Sequence, residues 1–249
     1  MILKSKICGV SDSKILNFIV NHDYPPEFIG FIVNYPKSKR YVDIQKLKEL
    51  MKIEKKKSFY VAVLVNPDQM ILDKIKDLPF DYYQLYDVDP KRSKEIKNRY
   101  NMKIISALTI SNQQDVEQYE KYSEIFDIIL FDSKGYHNSE SFNHSLLDKV
   151  PRELNKMIAG NIQINDIPTF KNKNFIIDIS GALEDENGNK DINKIDNFLN
   201  KFNNLLILFI SFFPFSSSIA PLRSIMKSLS LNFGISSICI FPAIILFNL

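Results

Sequence analysis

Leu3-Lys4-Ser5-Lys6-Ile7-Cys8-Gly9-Val10 opens as a short strand-like run and breaks at Cys8-Gly9. Directly after it, Ser11 or Asp12 offers a helix cap, and Ile15, Leu16 and Ile19 recur at helical spacing. A strand feeding a capped amphipathic helix is the repeating unit of parallel α/β proteins, whose ligands bind at the carboxyl ends of the strands. On that geometry Cys8 stands where a reactive group belongs. The alternative is a small buried thiol serving as a core hydrophobe.

The same unit repeats outward from this stretch. Residues 28–33 read as strand two, with a helix over 43–51, and 60–65 as strand three, with Pro67 opening a helix to Asp77. Residues 82–85 with 90–100 form the fourth pair, and 103–108 with 112–122 the fifth. The sixth pairs 127–131 with a short helix over 145–150, the seventh 156–159 with a turn over 164–170, and the eighth 175–179 with a helix over 192–202. Eight units before residue 203 point to an α/β fold of the (β/α)8 TIM-barrel type, near its lower size limit. Gly9, Gly135, Gly160, Gly181 and Gly188, five of only seven glycines, fall in loops after strands, where backbone must approach a ligand closely.

Composition narrows the function classes. Apolar content of 45% and charged content of 24% are ordinary for a globular chain. A net charge of +3 with interspersed signs makes Lys55-Lys56-Lys57 a solvated face, and no nucleic-acid partner is expected. Cys8 and Cys239 are too far apart in sequence for a CxxC site, and His22, His137 and His144 lack zinc spacing, so no metal is expected. The lysines of the opening strand are unlike a secretory signal, and a cytoplasmic location is expected.

Residues 204–249 differ in kind. Their only charged side chains are Arg223 and Lys227, and their apolar runs are interrupted by Pro214, Pro221 and Pro242. Neither run reaches the roughly 18–20 residues of a membrane span. The expected division is therefore a barrel over 1–203 and an apolar tail over 204–249 outside it. Membrane contact by that tail is the disfavoured alternative. The abrupt change of composition is also of the kind that a reading-frame shift near the end of a gene produces.

Several stretches together carry a resemblance. Lys6-Ile7-Cys8-Gly9 ends strand one, and Gly30-Phe31 leads into Tyr35-Pro36-Lys37-Ser38-Lys39-Arg40-Tyr41-Val42 after strand two. Val63-Leu64-Val65-Asn66 ends strand three and Gln84-Leu85 strand four. Asp132 follows strand six, Ala159-Gly160 ends strand seven, and Asp178-Ile179-Ser180-Gly181 ends strand eight. In that order, residues 1 to 202 resemble phosphoribosylanthranilate isomerase of tryptophan biosynthesis. The resemblance implies an Amadori rearrangement without metal or cofactor, in which N-(5-phosphoribosyl)anthranilate becomes 1-(2-carboxyphenylamino)-1-deoxyribulose 5-phosphate. It makes Asp132 the general acid and Cys8 the general base. It places the phosphate on Gly160, Asn161, Ser180, Gly181 and Ala182. Arg40, on the loop after strand two, is the candidate for the anthranilate carboxylate, the alternative being a solvated arginine among Lys37 and Lys39, and Asp178, inward by alternation with Ser180, either orders the site or serves as a structural hydrogen-bonding group.

Physical chemistry sets conditions on those roles. The thiol must ionise to act as a base, and Lys6, on the same side of strand one, is one source of stabilising charge. Lys6 reads equally well as an interior lysine paired with a carboxylate. Asp132 must be protonated to act as an acid, which calls for burial or nearby negative charge; by residue type alone it is a capping or turn aspartate. The chain departs from the family pattern at Tyr86, where histidine is usual, in loop six from Ser133 to Ser139, at Asn161 in place of glycine, and after Ser180. The altered loop six and the tail leave open a degenerate barrel that binds phosphorylated ligands without turnover. Other phosphosugar barrels are disfavoured: an indole-glycerol-phosphate synthase needs Lys and Glu on several strands, and a ribulose-phosphate epimerase needs paired aspartates with histidines.

Overall fold

A computed structural model of the chain describes residues 4–133, 142–170 and 173–211, with side chains described as far as residue 204. Most of loop six, with Gly135 and His137, and the tail from residue 212, with its prolines and Cys239, lie outside the described residues. Eight strands alternate with helical segments: β1 (Lys4–Cys8), β2 (Phe28–Ile32), β3 (Phe59–Val65), β4 (Tyr82–Tyr86), β5 (Lys103–Ile110), β6 (Ile128–Ser133), β7 (Lys156–Ile158) and β8 (Ile176–Ile179). Each pairs in parallel with its sequence neighbours, and β8 pairs with β1, so the sheet closes into the expected barrel.

The turn from strand to helix is written into single side chains. Asp12, Asp43, Asp68 and Asp89 cap α1 (Ser13–Asn21), α2 (Ile44–Leu50), α3 (Gln69–Ile75) and α4 (Pro90–Tyr100), each accepting from a backbone N–H in the first turn. Asn112 closes a capping box on α5 (Gln113–Glu117). Such a cap is worth about 1 kcal/mol and fixes where the helix begins after the ligand-facing loop. The last helix, α6, spans Ile192–Ser211.

Several boundaries differ from expectation. Pro67 does not open α3, because Asp68 takes the cap and starts the helix two residues later. The fifth helix tightens into a 3-10 turn at Gln118–Tyr122. Among the described residues, the segments after β6 and β7 form 3-10 turns, His144–Leu147 and Ile167–Phe170, in place of the expected helical stretches, runs of four residues being too short to propagate an α-helix. β6 runs through Ser133, so Asp132 lies on the strand itself. α6 continues past residue 202, where the helix was expected to end. The chain divides into compact units at Met1–Leu206 and Ile207–Leu249.

Strand alternation sorts the apolar residues into two layers. Ile7, Phe31, Leu64, Ile104, Ile129 and Ile177 face the helices and pack with Leu16, Leu47, Leu72, Ile96 and Phe198. Phe28, Val61, Val63, Ile105, Leu130, Met157 and Ile176 fill the barrel interior. At the amino-terminal end of the barrel, Phe28, Phe59 and Tyr82 form an aromatic triangle with centroids 5.4–5.8 Å apart, and the Lys103 ammonium lies 5.4 Å from the Tyr82 ring centroid.

One charged pair sits inside this apolar filling. Lys6 is 0% exposed, is the direct register partner of Asp178 across the β1–β8 seam, and donates to its Oδ2 at 2.7 Å. A buried ion pair gains little net stability, but losing one member strands a charge in a low dielectric. Lys6→Met should therefore lower unfolding stability by about 3–5 kcal/mol. The double variant Lys6→Met/Asp178→Leu should regain much of that loss in urea titration, and equal loss in the two would dismiss this account of the seam.

Candidate active site

The carboxyl ends of the strands surround a cavity of about 270 Å³ lined by Cys8, Arg40, Tyr86, Asp132, Gly160, Asn161, Asp178, Ser180 and Gly181, among others. Eight of the nine residues singled out from sequence therefore face one space. Ala182 does not. It belongs to the 3-10 turn Gly181–Leu183, which buries Leu183, and its methyl packs against the outer apolar layer.

Cys8 is the last residue of β1, half-buried, with Lys6 one inward-facing position below it. Burial pushes the thiol above its ordinary range, and the Lys6 ammonium pulls it back down. Burial would also depress Lys6, but Asp178 and then Cys8 overcome that and hold its ammonium charged. Both readings of Lys6 thus hold at once: it is paired with a carboxylate and it supplies positive charge beside the thiol. Burial raises Asp178 against the pull of Lys6. Its second oxygen, Oδ1, is buried with no partner among the described residues, as is Ser133 Oγ.

Asp132 enters from β6. Its Oδ1 accepts from the Ser133 N–H at 2.8 Å and its Oδ2 from the Tyr86 hydroxyl at 2.7 Å. Burial pushes this carboxyl up to about 6, with Asp178 adding repulsion and the Tyr86 hydrogen bond opposing the rise. Asp132 is a strand residue held against the cavity.

Arg40 comes from the loop after β2 and gives Nε and Nη2 to Glu184 Oε1 and Oε2 at 2.5 and 2.9 Å. Lys190, nearly fully buried, donates to the same Glu184 at 2.8 Å and to the Ser180 carbonyl at 2.9 Å. The Ser180 hydroxyl in turn donates to the Cys8 carbonyl at 2.9 Å, so loop eight is tied to the end of β1. Glu184 and Lys190 were not picked out from sequence. They lie in a run of charged and amide residues that reads as a solvated turn, and Arg40 is 144 positions from Glu184. An antiparallel bridge between Glu184 and Lys190 is what brings the pair together.

Backbone conformation explains two motif positions. Gly9 has φ +76°, and a Cβ there would lie 2.4 Å from Arg40 Cδ, so the glycine after Cys8 makes room for the arginine. Gly160 has φ +96°, and a Cβ there would lie 2.8 Å from Ser133 Cβ; Asn161 follows at φ 54°. Asparagine is among the residues that best tolerate the left-handed region, so it can stand in for the missing second glycine.

Residues 5–201 match the sequence profile described as PRAI, N-(5'phosphoribosyl)anthranilate (PRA) isomerase. The chain belongs to the phosphoribosylanthranilate isomerase family. The N-(5'-phosphoribosyl)anthranilate isomerase of Brucella canis is 32% identical over 209 residues, covering 80% of this chain and 93% of the relative. The Thermotoga maritima phosphoribosyl anthranilate isomerase structure has a TM-score of 0.69 at 25% identity, covering 82% of this chain and all of that one. A phosphoribosyl anthranilate isomerase solved with reduced 1-(o-carboxyphenylamino)-1-deoxyribulose 5-phosphate scores 0.68, also at 25% identity and with the same coverage.

Within this isomerase barrel the glycine of Cys8-Gly9 is a packing requirement. Gly9→Ala should displace Arg40 and strain the backbone, costing about 1–2 kcal/mol from the left-handed conformation alone. A lower thermal midpoint together with a raised substrate KM is expected, and an unchanged KM would show that Arg40 keeps its place by other means.

Proposed function

We infer that this chain isomerises N-(5'-phosphoribosyl)anthranilate to 1-(2-carboxyphenylamino)-1-deoxyribulose 5-phosphate, an Amadori rearrangement of tryptophan biosynthesis. The observation that carries this reading is a carboxyl raised to about 6 and a thiol beside a buried ammonium, facing one cavity in a barrel of this family. Asp132 protonates the furanose ring oxygen, the bond from C1 to that oxygen breaks, and the anilinic nitrogen donates its lone pair to form an iminium ion. The Cys8 thiolate then removes the proton from C2, and the resulting enolamine tautomerises to the ketone.

The charges of the cavity fit this substrate. Lys6 and Asp178 cancel, whereas Arg40, Lys190 and Glu184 leave one net positive charge at the mouth. Glu184 occupies two of the five guanidinium donors of Arg40, so the anthranilate carboxylate is met by the remaining ones. The left-handed turn at Gly160-Asn161 and the turn beginning at Ser180-Gly181 flank the cavity where barrels of this type hold phosphate. Asp178 Oδ1 is a waiting acceptor for an N–H or O–H of the substrate.

The two titrations stand in reverse order to the chemistry. At rest the carboxyl gives up its proton before the thiol does, yet the reaction uses the carboxylic acid together with the thiolate. The reactive form is thus a minor tautomer of the singly protonated pair. In the free enzyme kcat/KM should rise with pH through a limb near 6, where Asp132 titrates, and fall again on the alkaline side where Cys8 ionises. Cys8→Ala and Asp132→Asn should each lower kcat by about 10²–10⁴-fold while ligand binding persists. Retention of more than about a tenth of kcat by either variant would remove that residue from its role.

Two further proposals concern the rest of the chain. The enzyme works in the cytoplasm, in keeping with a small diffusible phosphorylated substrate; among the described residues no helix is long and apolar enough to cross a membrane. The tail is dispensable, since every lining residue of the cavity and all eight strands precede residue 207. A chain ending after Ser211 should keep kcat/KM and sediment as a better-behaved species, and loss of soluble activity would return the tail to the fold.

A further inference from the structure

Tyr86, the last residue of β4, occupies the place where histidine was expected, and the isomerase reaction as described assigns it no task. Its ring is 7% exposed and belongs to the interior apolar layer, so its hydroxyl oxygen has to find partners inside the barrel. Gln84, fully buried two residues earlier on the same face of the strand, donates Nε2–H to that oxygen at 3.1 Å. With the oxygen accepting from Gln84, the hydroxyl proton is directed to Asp132 Oδ2, 2.7 Å away.

We propose that Tyr86 is a positioning residue for the acid: aimed by Gln84, its hydroxyl holds the Asp132 carboxyl against the cavity and stabilises its ionised form. This inference rests on Asp132 being the acid. Among the described residues, the other titratable or charged groups around the carboxyl are Lys6 and Cys8 from β1, Asp178 from β8 and, across the cavity, Arg40. Asp178 and burial both favour the protonated acid, and Lys6 already shares its charge with Asp178. The hydrogen bond from Tyr86 is the larger of the two that oppose burial, the Ser133 N–H giving the other. Without it the carboxyl would bind its proton more tightly and be a weaker acid. A phenol suits the task because burial raises its own ionisation well above 10, so it donates throughout the working range. An imidazole would change charge within that range.

The experiment is a pair of titrations on Tyr86→Phe, which keeps the ring and removes only the hydroxyl. Carbon-13 NMR of labelled aspartate carboxyls, assigned to Asp132 with Asp132→Asn, reads the carboxyl directly, and the pH profile of kcat/KM reads its use. The inference expects both the Asp132 midpoint and the acidic limb to move upward by about one pH unit, the size of one charge-assisted hydrogen bond. A midpoint that stays where it is in wild type overturns the inference, whatever happens to kcat. If the midpoint rises but the kinetic limb does not follow, Asp132 is not the acid, and the functional reading fails while the hydrogen bond stands. Should Tyr86→Phe fail to fold, Gln84→Met frees the hydroxyl to turn away and must shift the same midpoint upward; no shift there overturns the inference equally.

Discussion

The bond between Lys6 and Asp178 is the constraint on which the rest depends. It spans the seam where the last strand meets the first, 172 residues apart in sequence, and it lies within the apolar filling. A pair in that position is tolerated only in one register, since a slip of β8 against β1 by one residue would turn Asp178 outward and leave Lys6 alone. The same register carries Ser180 to the Cys8 carbonyl. Closure and catalytic geometry are therefore one event. The ammonium that holds the seam is also the charge that opposes the desolvation of the thiol.

A second network governs the mouth. Arg40, Glu184 and Lys190 come from the second and eighth loops, and each neutralises or orients another. Burial would raise the Glu184 carboxyl, but the two cations hold it below its usual range, so it stays ionised and keeps the guanidinium in one orientation. A planar fork fixed on one edge presents its remaining donors in a defined direction, which a free arginine on a loop would not do. The close approach of Arg40 to Gly9 ties this network back to the end of β1.

Much of this was legible in the chain because it is local. Strand–helix alternation, the cap offered at Asp12 and the glycine after Cys8 are signals read over a few residues, and they pointed to the barrel and its catalytic edge. The misplacements were local competitions of similar strength: Asp68 outcompetes Pro67 as the start of α3, and the short segments after β6 and β7 settle as 3-10 turns. Glu184 and Lys190 escaped notice for a different reason. Their meaning comes from Arg40 on another loop, and nothing in their immediate neighbours separates them from a solvated turn. Tyr86 was visible only as an oddity, because its task is set by Asp132 two strands away.

The aromatic triangle of Phe28, Phe59 and Tyr82 has a bearing on traffic through the barrel. With Tyr82 edge-on to both phenylalanines and Lys103 against it, the triangle stoppers the end opposite the catalytic loops. The barrel is a cup and not a tube. Substrate and product must then use the same rim, and the bulkier, open-chain ketose has to clear it before another riboside can enter. In such a vessel exchange passes only through the loops at the rim.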